Sequence, residues 1–232
     1  MKQREENRIA AKYYEDELTQ YKRPEGDLNL FTRSGNRRNE VIIGGEDNDW
    51  DSYCTGYHRA ASALIRYIVQ DDLPRRRDYS RHWESIGYTI LFLYRHYLEL
   101  RLKKLFITCG GDLERVNNEH SLLKLWEIFF KQYEAFCKEY NLDSEEPSEK
   151  SLKDIKTAET IITQFNEIDA KSEIFRYPTD KKGRVILPPA QIDIVRLKEM
   201  LGWTSQFLDA WSDGIYECWQ AELQSRYEAK HS

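Results

Sequence analysis

The chain has 232 residues, of which 40% are hydrophobic and 32% are charged, and its formal net charge at pH 7 is −5. Its 30 aromatic residues (9 Phe, 6 Trp and 15 Tyr) exclude an intrinsically disordered chain, because such chains cannot bury enough apolar surface to offset the entropy of ordering. The acidic balance disfavours broad electrostatic binding to nucleic acids, so any contact with RNA or DNA is expected to be local.

Several other classes of protein are also disfavoured. No apolar run approaches the roughly 20 residues that a bilayer span needs, and the first residues lack the apolar core of a signal peptide. We therefore expect a cytoplasmic protein with no membrane partner. The four cysteines show no CxxC spacing and are expected to be buried apolar residues, and no nucleotide-binding glycine motif occurs. No metal and no cofactor are expected.

The chain divides into two parts by composition. Residues 1–45 are polar, carry mixed charge, and are predicted to form an N-terminal arm or linker. Residues 46–232 carry apolar residues at helical spacing and are predicted to form a helical domain.

Hydrophobic periodicity predicts a first helix from Tyr53 to Ile68 that ends before Pro74. The next helix, from Arg81 to about Phe106, is apolar over much of its circumference and should therefore be central. The glycine pair 110–111 is a typical C-terminal cap for it.

A third helix is predicted to begin near Ser121, and a fourth to span about Ser151 to Ile168. Residues 173–187 favour a short β excursion, and a last helical stretch follows Pro188, with an interruption expected at residues 212–214. The predicted fold class is all-α, an up-and-down bundle of five or six helices.

Three polar residues, Arg95, His96 and Glu99, lie inside the most apolar helix. Residues three or four apart share a helix face, so Glu99 adjoins both of the others. One interpretation is an ion pair at the edge of the core. The functional alternative is a cleft in which Glu99 orients an arginine.

Arg115 and His120 precede the third helix, and two interpretations are open for this pair. A histidine at a helix start commonly caps or packs. Chemically, an arginine offers a fixed positive fork to a phosphate, and an imidazole moves protons near neutral pH. These two functions suffice for cleavage of RNA without a metal: His120 would move the proton of the 2′-hydroxyl or leaving oxygen, and Arg115 would stabilise charge on phosphorus.

Two further basic features follow from the sequence. Arg176 lies in a Phe-Arg-Tyr-Pro segment and is a candidate either for pairing with Glu99 or Asp169 or for a phosphate contact. The dense basic cluster at residues 75–77, extended by Arg81 and His82, is interpreted as a solvated loop, with nucleic-acid contact as the alternative.

Three segments together resemble the HEPN superfamily of helical domains. Residues 90–105 look like the central helix of that superfamily, residues 120–126 like the His-x-Leu opening of its next helix, and residues 175–178 like an Arg-Tyr element after its later helices. In order and rough spacing the resemblance covers about residues 50–230.

The resemblance implies a helical bundle, often a homodimer, and for many members a metal-independent ribonuclease of toxin–antitoxin or antiviral defence systems. It assigns the catalytic Arg-x(4–6)-His motif to Arg115 and His120, and supporting, substrate-binding positions to Arg95, His96, Glu99 and Arg176. Two features depart from the family pattern: Val116 replaces the usual polar residue, and the motif precedes the third helix. The alternative is a non-catalytic helical module that binds a partner protein or a nucleotide.

Overall fold

Five α-helices form most of the part of the chain that the structure describes. This computed structural model describes residues 50–70, 80–140, 142, 148–185 and 191–231. The helices are α1 (Trp50–Gln70), α2 (Ser80–Thr108), α3 (Leu122–Glu139), α4 (Glu149–Ile168) and α5 (Ile194–His231). The prediction of an all-α fold is confirmed. The predicted arm and the basic residues 75–77 lie outside the described residues, as do the side chains of Arg81 and His82.

The second helix is the central element, as its apolar circumference predicted. It packs against α1, α3 and α5, while α3 also packs against α4, and α5 against α1 and α4. Leu98, Leu102 and Leu105 on α2 are at most 1% exposed. Because neighbouring helices surround α2, polar side chains on it are removed from water and need partners within the protein.

The connection from α2 to α3 is built by local capping. Gly110 takes a φ of +78°, and the N–H of Gly111 donates to the carbonyl of Phe106 at 3.0 Å, which closes the helix end. A Cβ on Gly111 would lie 2.5 Å from the Phe106 ring, so the turn passes close over that ring. A 3₁₀ turn (Leu113–Arg115) follows, and Ser121 caps α3 by accepting the N–H of Lys124.

The last helix differs from its prediction at two places. It begins at Ile194, beyond Pro188, because the carboxylate of Asp193 accepts the N–H groups of Val195 and Arg196 and so caps the first turn. It also continues through residues 212–214 without interruption, so that expectation was wrong. A glycine inside a helix costs only about 1 kcal/mol, and burial of Ile215 outweighs it.

The β excursion is reduced to one antiparallel bridge between Thr179 and Val185. Gly183 takes a φ of +76°, and the carboxylate of Asp180 accepts the N–H groups of Lys182 and Arg184, which makes a tight turn. These bonds to Arg184 and Lys182 lower the pKa of Asp180. Residues 186–187, in the second half of the excursion, lie outside the described residues.

The cysteines only partly follow their prediction. Cys54 and Cys109 are buried, and burial raises the pKa of their thiols to about 11 and about 12. Cys137 is half-buried, whereas Cys218 is exposed on α5 and is therefore not the core residue that was expected.

None of the helices in the described ranges combines the length and the low polarity that crossing a bilayer requires.

Candidate functional site

The carboxylate of Glu99 is the centre of a buried charged cluster on α2. Its Oε2 accepts from Nη1 of Arg95 at 3.0 Å. Its Oε1 accepts from Nζ of Lys103 at 3.1 Å and contacts Nδ1 of His120 at 3.0 Å. These four residues, here called the Glu99 cluster, combine an i, i+4 ladder along α2 with one residue from the loop that precedes α3.

Arg95 holds three segments of the chain together. Besides its bond to Glu99, its Nε donates to the carbonyl of Asp169 at 3.0 Å, and its Nη2 donates to the carbonyl of His120. The side chain is fully buried, and the carboxylate of Asp169 lies 3.8 Å from its Nε. The planar guanidinium suits this position because its donors point in several fixed directions.

The positive charge of Arg95 is buried but is compensated by two nearby carboxylates. Burial lowers the pKa of Arg95, while the carboxylates of Glu99 and Asp169 oppose this change. Direct contact with a substrate is not available to a fully buried side chain, so the expected substrate-binding role of Arg95 is corrected to one of positioning the loop and Glu99.

Asp169 ends α4 and shapes the turn after it. Its carboxylate accepts the N–H groups of Glu173 at 2.7 Å and Ile174 at 3.1 Å. Within that turn Ser172 takes a φ of +58°, a conformation that L residues rarely adopt. The turn presents the Asp169 carbonyl to Arg95, which explains how the end of α4 is joined to α2.

Lys103 joins the opposite side of Glu99 to the loop. Its Nζ donates to Glu99 and, at 3.1 Å, to the carbonyl of Asn117. Only 7% of the Lys103 side chain is exposed. Together, Lys103 and Arg95 fix the backbone carbonyls of Asn117 and His120, at the two ends of the segment 117–120.

His120 connects the buried cluster to solvent. An ionised carboxylate only accepts hydrogen bonds, so the contact with Glu99 places the proton on Nδ1 of the imidazole and leaves the lone pair of the neutral ring on Nε2. The side chain is 53% exposed. His120 therefore has one nitrogen oriented by a carboxylate and the other available for proton transfer.

The surrounding donors keep Glu99 ionised. Burial alone would raise the pKa of Glu99, but Lys103, the hydrogen bond with His120 and the charge of Arg95 together lower it below its ordinary value. An ionised Glu99 can hold His120 in one tautomer and stabilise the imidazolium, as carboxylates do in histidine-dependent hydrolases.

His96 lies beside the cluster but packs mainly against aromatic rings. Its ring meets Tyr57 edge-on at 4.5 Å and stacks on Phe92 at 5.9 Å between centroids. Burial lowers the pKa of His96, which favours the neutral ring; Glu99 opposes this shift, and Arg95 is among the cations that reinforce it. The neutral, half-buried ring contributes packing between α1 and α2.

Arg176 lies near the cluster with its side chain exposed. Its positive charge acts on both Arg95 and His96, lowering their pKa values. Its Nε donates to the Ser172 carbonyl, and its guanidinium lies 5.8 Å from the ring centroid of Tyr177. The pairing expected with Glu99 or Asp169 was wrong: Glu99 is bonded to Arg95, Lys103 and His120, and the carboxylate of Asp169 accepts backbone N–H groups of its own turn.

Arg115 contacts α2 at a different point from His120. Its guanidinium lies 5.5 Å above the ring of Phe106, and the side chain is exposed. Phe106 is seven residues from Glu99, about 10 Å along α2 at 1.5 Å per residue. The two candidate catalytic residues therefore share one loop and one side of α2, but they are held about two helical turns apart.

Sequence reasoning identified part of this site and missed part. Arg95, Glu99 and His120 come together, and His96 and Arg176 lie at the edge of the Glu99 cluster. Arg115, from the loop, contacts α2 further along, at Phe106. Lys103 was missed, although its spacing of four from Glu99 was a signal for a second ion pair. The partner that fixes the start of α3 was also missed: Oδ1 of Asn166 on α4 accepts from Ser121 Oγ at 2.9 Å.

Within the described ranges, no three His, Cys, Asp or Glu side chains are grouped so as to hold a metal ion. Comparison of the chain with protein-family models, with curated proteins and with solved structures found no match.

Proposed function

We propose that this protein is a HEPN-like helical ribonuclease that cleaves RNA without a metal ion. One observation carries the proposal: His120 is bound through Nδ1 to the buried carboxylate of Glu99 while its ring is half exposed. This is the arrangement that a general acid or base requires, since the carboxylate sets the tautomer and the free nitrogen reaches the substrate.

The chemistry assigned to His120 is a single proton transfer. Either its Nε2 takes the proton of a 2′-hydroxyl as that oxygen attacks the adjacent phosphorus, and water protonates the departing 5′-oxygen; or the imidazolium donates its Nε2 proton to the 5′-oxygen, and water takes the proton of the 2′-hydroxyl. The bond from phosphorus to the 5′-oxygen breaks, and the products carry a 2′,3′-cyclic phosphate and a 5′-hydroxyl. Glu99 supports either step because it stabilises the imidazolium, which forms when His120 takes a proton and is the form from which His120 donates one.

Two exposed arginines, Arg115 and Arg176, are candidates for phosphate contacts. Arg115 and Arg176 both keep their guanidinium groups accessible on an aromatic ring. A guanidinium resting on a ring retains N–H groups at its edge for a phosphate. Arg115 is anchored on Phe106 and His120 on Glu99, and these two residues are about 10 Å apart along α2. This separation favours contact of Arg115 with a phosphate next to the one that is cleaved.

The test is cleavage of single-stranded RNA by the purified full chain in the presence of a chelator. His120→Ala should abolish cleavage. His120→Asn keeps an N–H donor for Glu99 and so preserves the loop, but it cannot transfer a proton and should lower the rate by at least about 100-fold. His231→Ala, at an exposed histidine of α5, is the matched control and should retain full activity.

Arg115→Ala and Arg176→Ala should each weaken RNA binding, with a smaller effect on the rate at saturating RNA. Cleavage that persists in His120→Asn at the parent rate would contradict the assignment of His120. Products that lack a cyclic phosphate would contradict the mechanism.

A second candidate function is supported by the hydrogen bonds that Arg95 and Lys103 make to the backbone. Arg95 and Lys103 donate to three backbone carbonyls, at residues 117, 120 and 169, so the Glu99 cluster also serves to hold the fold. This favours a non-catalytic helical module for a partner protein or a nucleotide. Absence of RNA cleavage by the parent chain, with unchanged folding of His120→Asn, would select this candidate.

A further inference from the structure

A groove of about 870 Å³ lies between α3, α4 and α5, away from the Glu99 cluster. Its walls include Phe130 and Tyr133 from α3, Leu152 from α4, and Phe207 and Trp211 from α5. Phe130 lies eight residues beyond the start of α3, about 12 Å along the helix, so the groove is a separate feature. Its volume falls within the usual range of small-molecule sites.

Aromatic rings in several orientations form much of the wall. Trp211 is inclined at 78° to Phe130, at 85° to Tyr133 and at 61° to Phe207, with centroids 5.2 to 5.4 Å apart. All four rings are only partly buried. An aromatic face carries negative electrostatic potential, so these partly buried rings, which pack edge-on against Trp211, can attract a positive charge at the parts of the wall that they leave open.

The charged residues at the groove add to this preference. Glu134 and Asp154 line it, and neither carboxylate forms an ion pair with another described residue. Lys138 is the opposing charge on the same lining, which leaves an excess of one negative charge. Aromatic faces and carboxylates both attract cations, and aromatic faces also provide apolar contact.

We propose that this groove binds a small organic cation, namely an apolar body that carries a quaternary ammonium group. A primary ammonium needs hydrogen-bond acceptors for each of its N–H groups; the carboxylates of Glu134 and Asp154 are acceptors on this lining, but the aromatic faces that form much of the wall offer its N–H groups no lone pair. A quaternary ammonium has no N–H, spreads its charge over its methyl groups and pairs with aromatic faces. This binding site is independent of the proposed RNA cleavage, because the two share no residue.

The test is a titration of the full chain with benzyltrimethylammonium, followed through the indole N–H signals of the tryptophans by NMR. The Trp211 signal is identified with Trp211→Phe and should shift with the cation. Benzyl alcohol, which keeps the aromatic ring and lacks the charge, should bind at least about ten-fold more weakly.

Charge-neutral variants on the groove test the electrostatic part of the proposal. Glu134→Gln and Asp154→Asn should each weaken binding by about two- to five-fold, as expected for exposed charges. The matched variant Lys138→Gln should change affinity in the opposite direction. No shift of the Trp211 signal, equal binding of benzyl alcohol, or the same affinity in all three variants would overturn the proposal.

Discussion

At the scale of single residues, Arg95 shows why a buried charge is retained in an apolar helix. One guanidinium reaches a carboxylate on its own helix, a carbonyl in the loop before α3 and a carbonyl at the end of α4. An apolar side chain of similar length would fill the volume but would leave Glu99 and both carbonyls without this donor. Such buried polar groups cost about 1–3 kcal/mol each when their partner is removed.

We therefore predict that Arg95→Met lowers the free energy of unfolding by about 3–5 kcal/mol. The loss arises because Glu99 stays buried with fewer donors, while the two carbonyls lose a charged partner. Urea denaturation followed by circular dichroism measures it. Arg66→Met is the matched control, since Arg66 is exposed on α1, and it should change stability by less than about 0.5 kcal/mol. Equal losses in the two variants would refute the structural role of Arg95.

At the scale of elements, glycine has opposite roles at two positions. Gly110 ends α2 with a φ of +78°, a conformation that a side chain makes unfavourable. Gly214 lies inside α5, and a Cβ built on it meets no atom within 4 Å. The same residue type is thus required at one position and only costs conformational entropy at the other.

This contrast gives a paired prediction for Gly→Ala substitutions. Gly214→Ala should raise the free energy of unfolding by about 0.5–1 kcal/mol, because alanine restricts the unfolded chain and favours the helix. Gly110→Ala should lower it by about 1 kcal/mol, because alanine is strained at positive φ. Thermal and urea unfolding of both variants test the pair. A loss of stability in Gly214→Ala would mean that α5 is not continuous there.

At the scale of the whole molecule, His58 links three helices of the bundle. From α1 its Nε2 contacts the hydroxyl of Ser205 on α5 at 3.1 Å, and its ring packs against Tyr94 and Tyr97 of α2. Ser205 donates to the Gly202 carbonyl at 2.9 Å, so its oxygen accepts from His58. The neutral ring with its proton on Nε2 fits this position.

Stability should consequently fall when His58 is protonated. Burial lowers the pKa of His58; Asp209 opposes this shift, while Arg101 and Arg59 reinforce it. The unfolded chain then binds the proton more readily, so stability is fully present above the ordinary histidine pKa of about 6.5 and is lost as the pH falls from there through the folded pKa. His96, whose pKa burial also lowers, acts in the same direction.

We predict that His58→Gln flattens the dependence of unfolding free energy on pH between about 7 and 5. The change in slope is bounded by one proton, about 1.4 kcal/mol per pH unit. The amide of glutamine keeps a donor for Ser205 but does not titrate. Urea denaturation at a series of pH values measures both slopes, and an unchanged slope in the variant would show that His58 titrates alike in the folded and unfolded chains.

The amino-acid sequence by itself determined the helical class, the central place of α2 and the glycine cap that ends it. These properties follow from hydrophobic periodicity and backbone preference, which act over a few residues. Only the tertiary structure decided that Arg95 takes the Glu99 carboxylate that had been considered for Arg176, and that it joins α2 to the carbonyl of Asp169. It also decided that Lys103 supports the loop and that Arg115 is anchored on Phe106. Such pairings depend on which side chains are brought together by packing between helices and loops distant in the chain, and local patterns do not encode those distances.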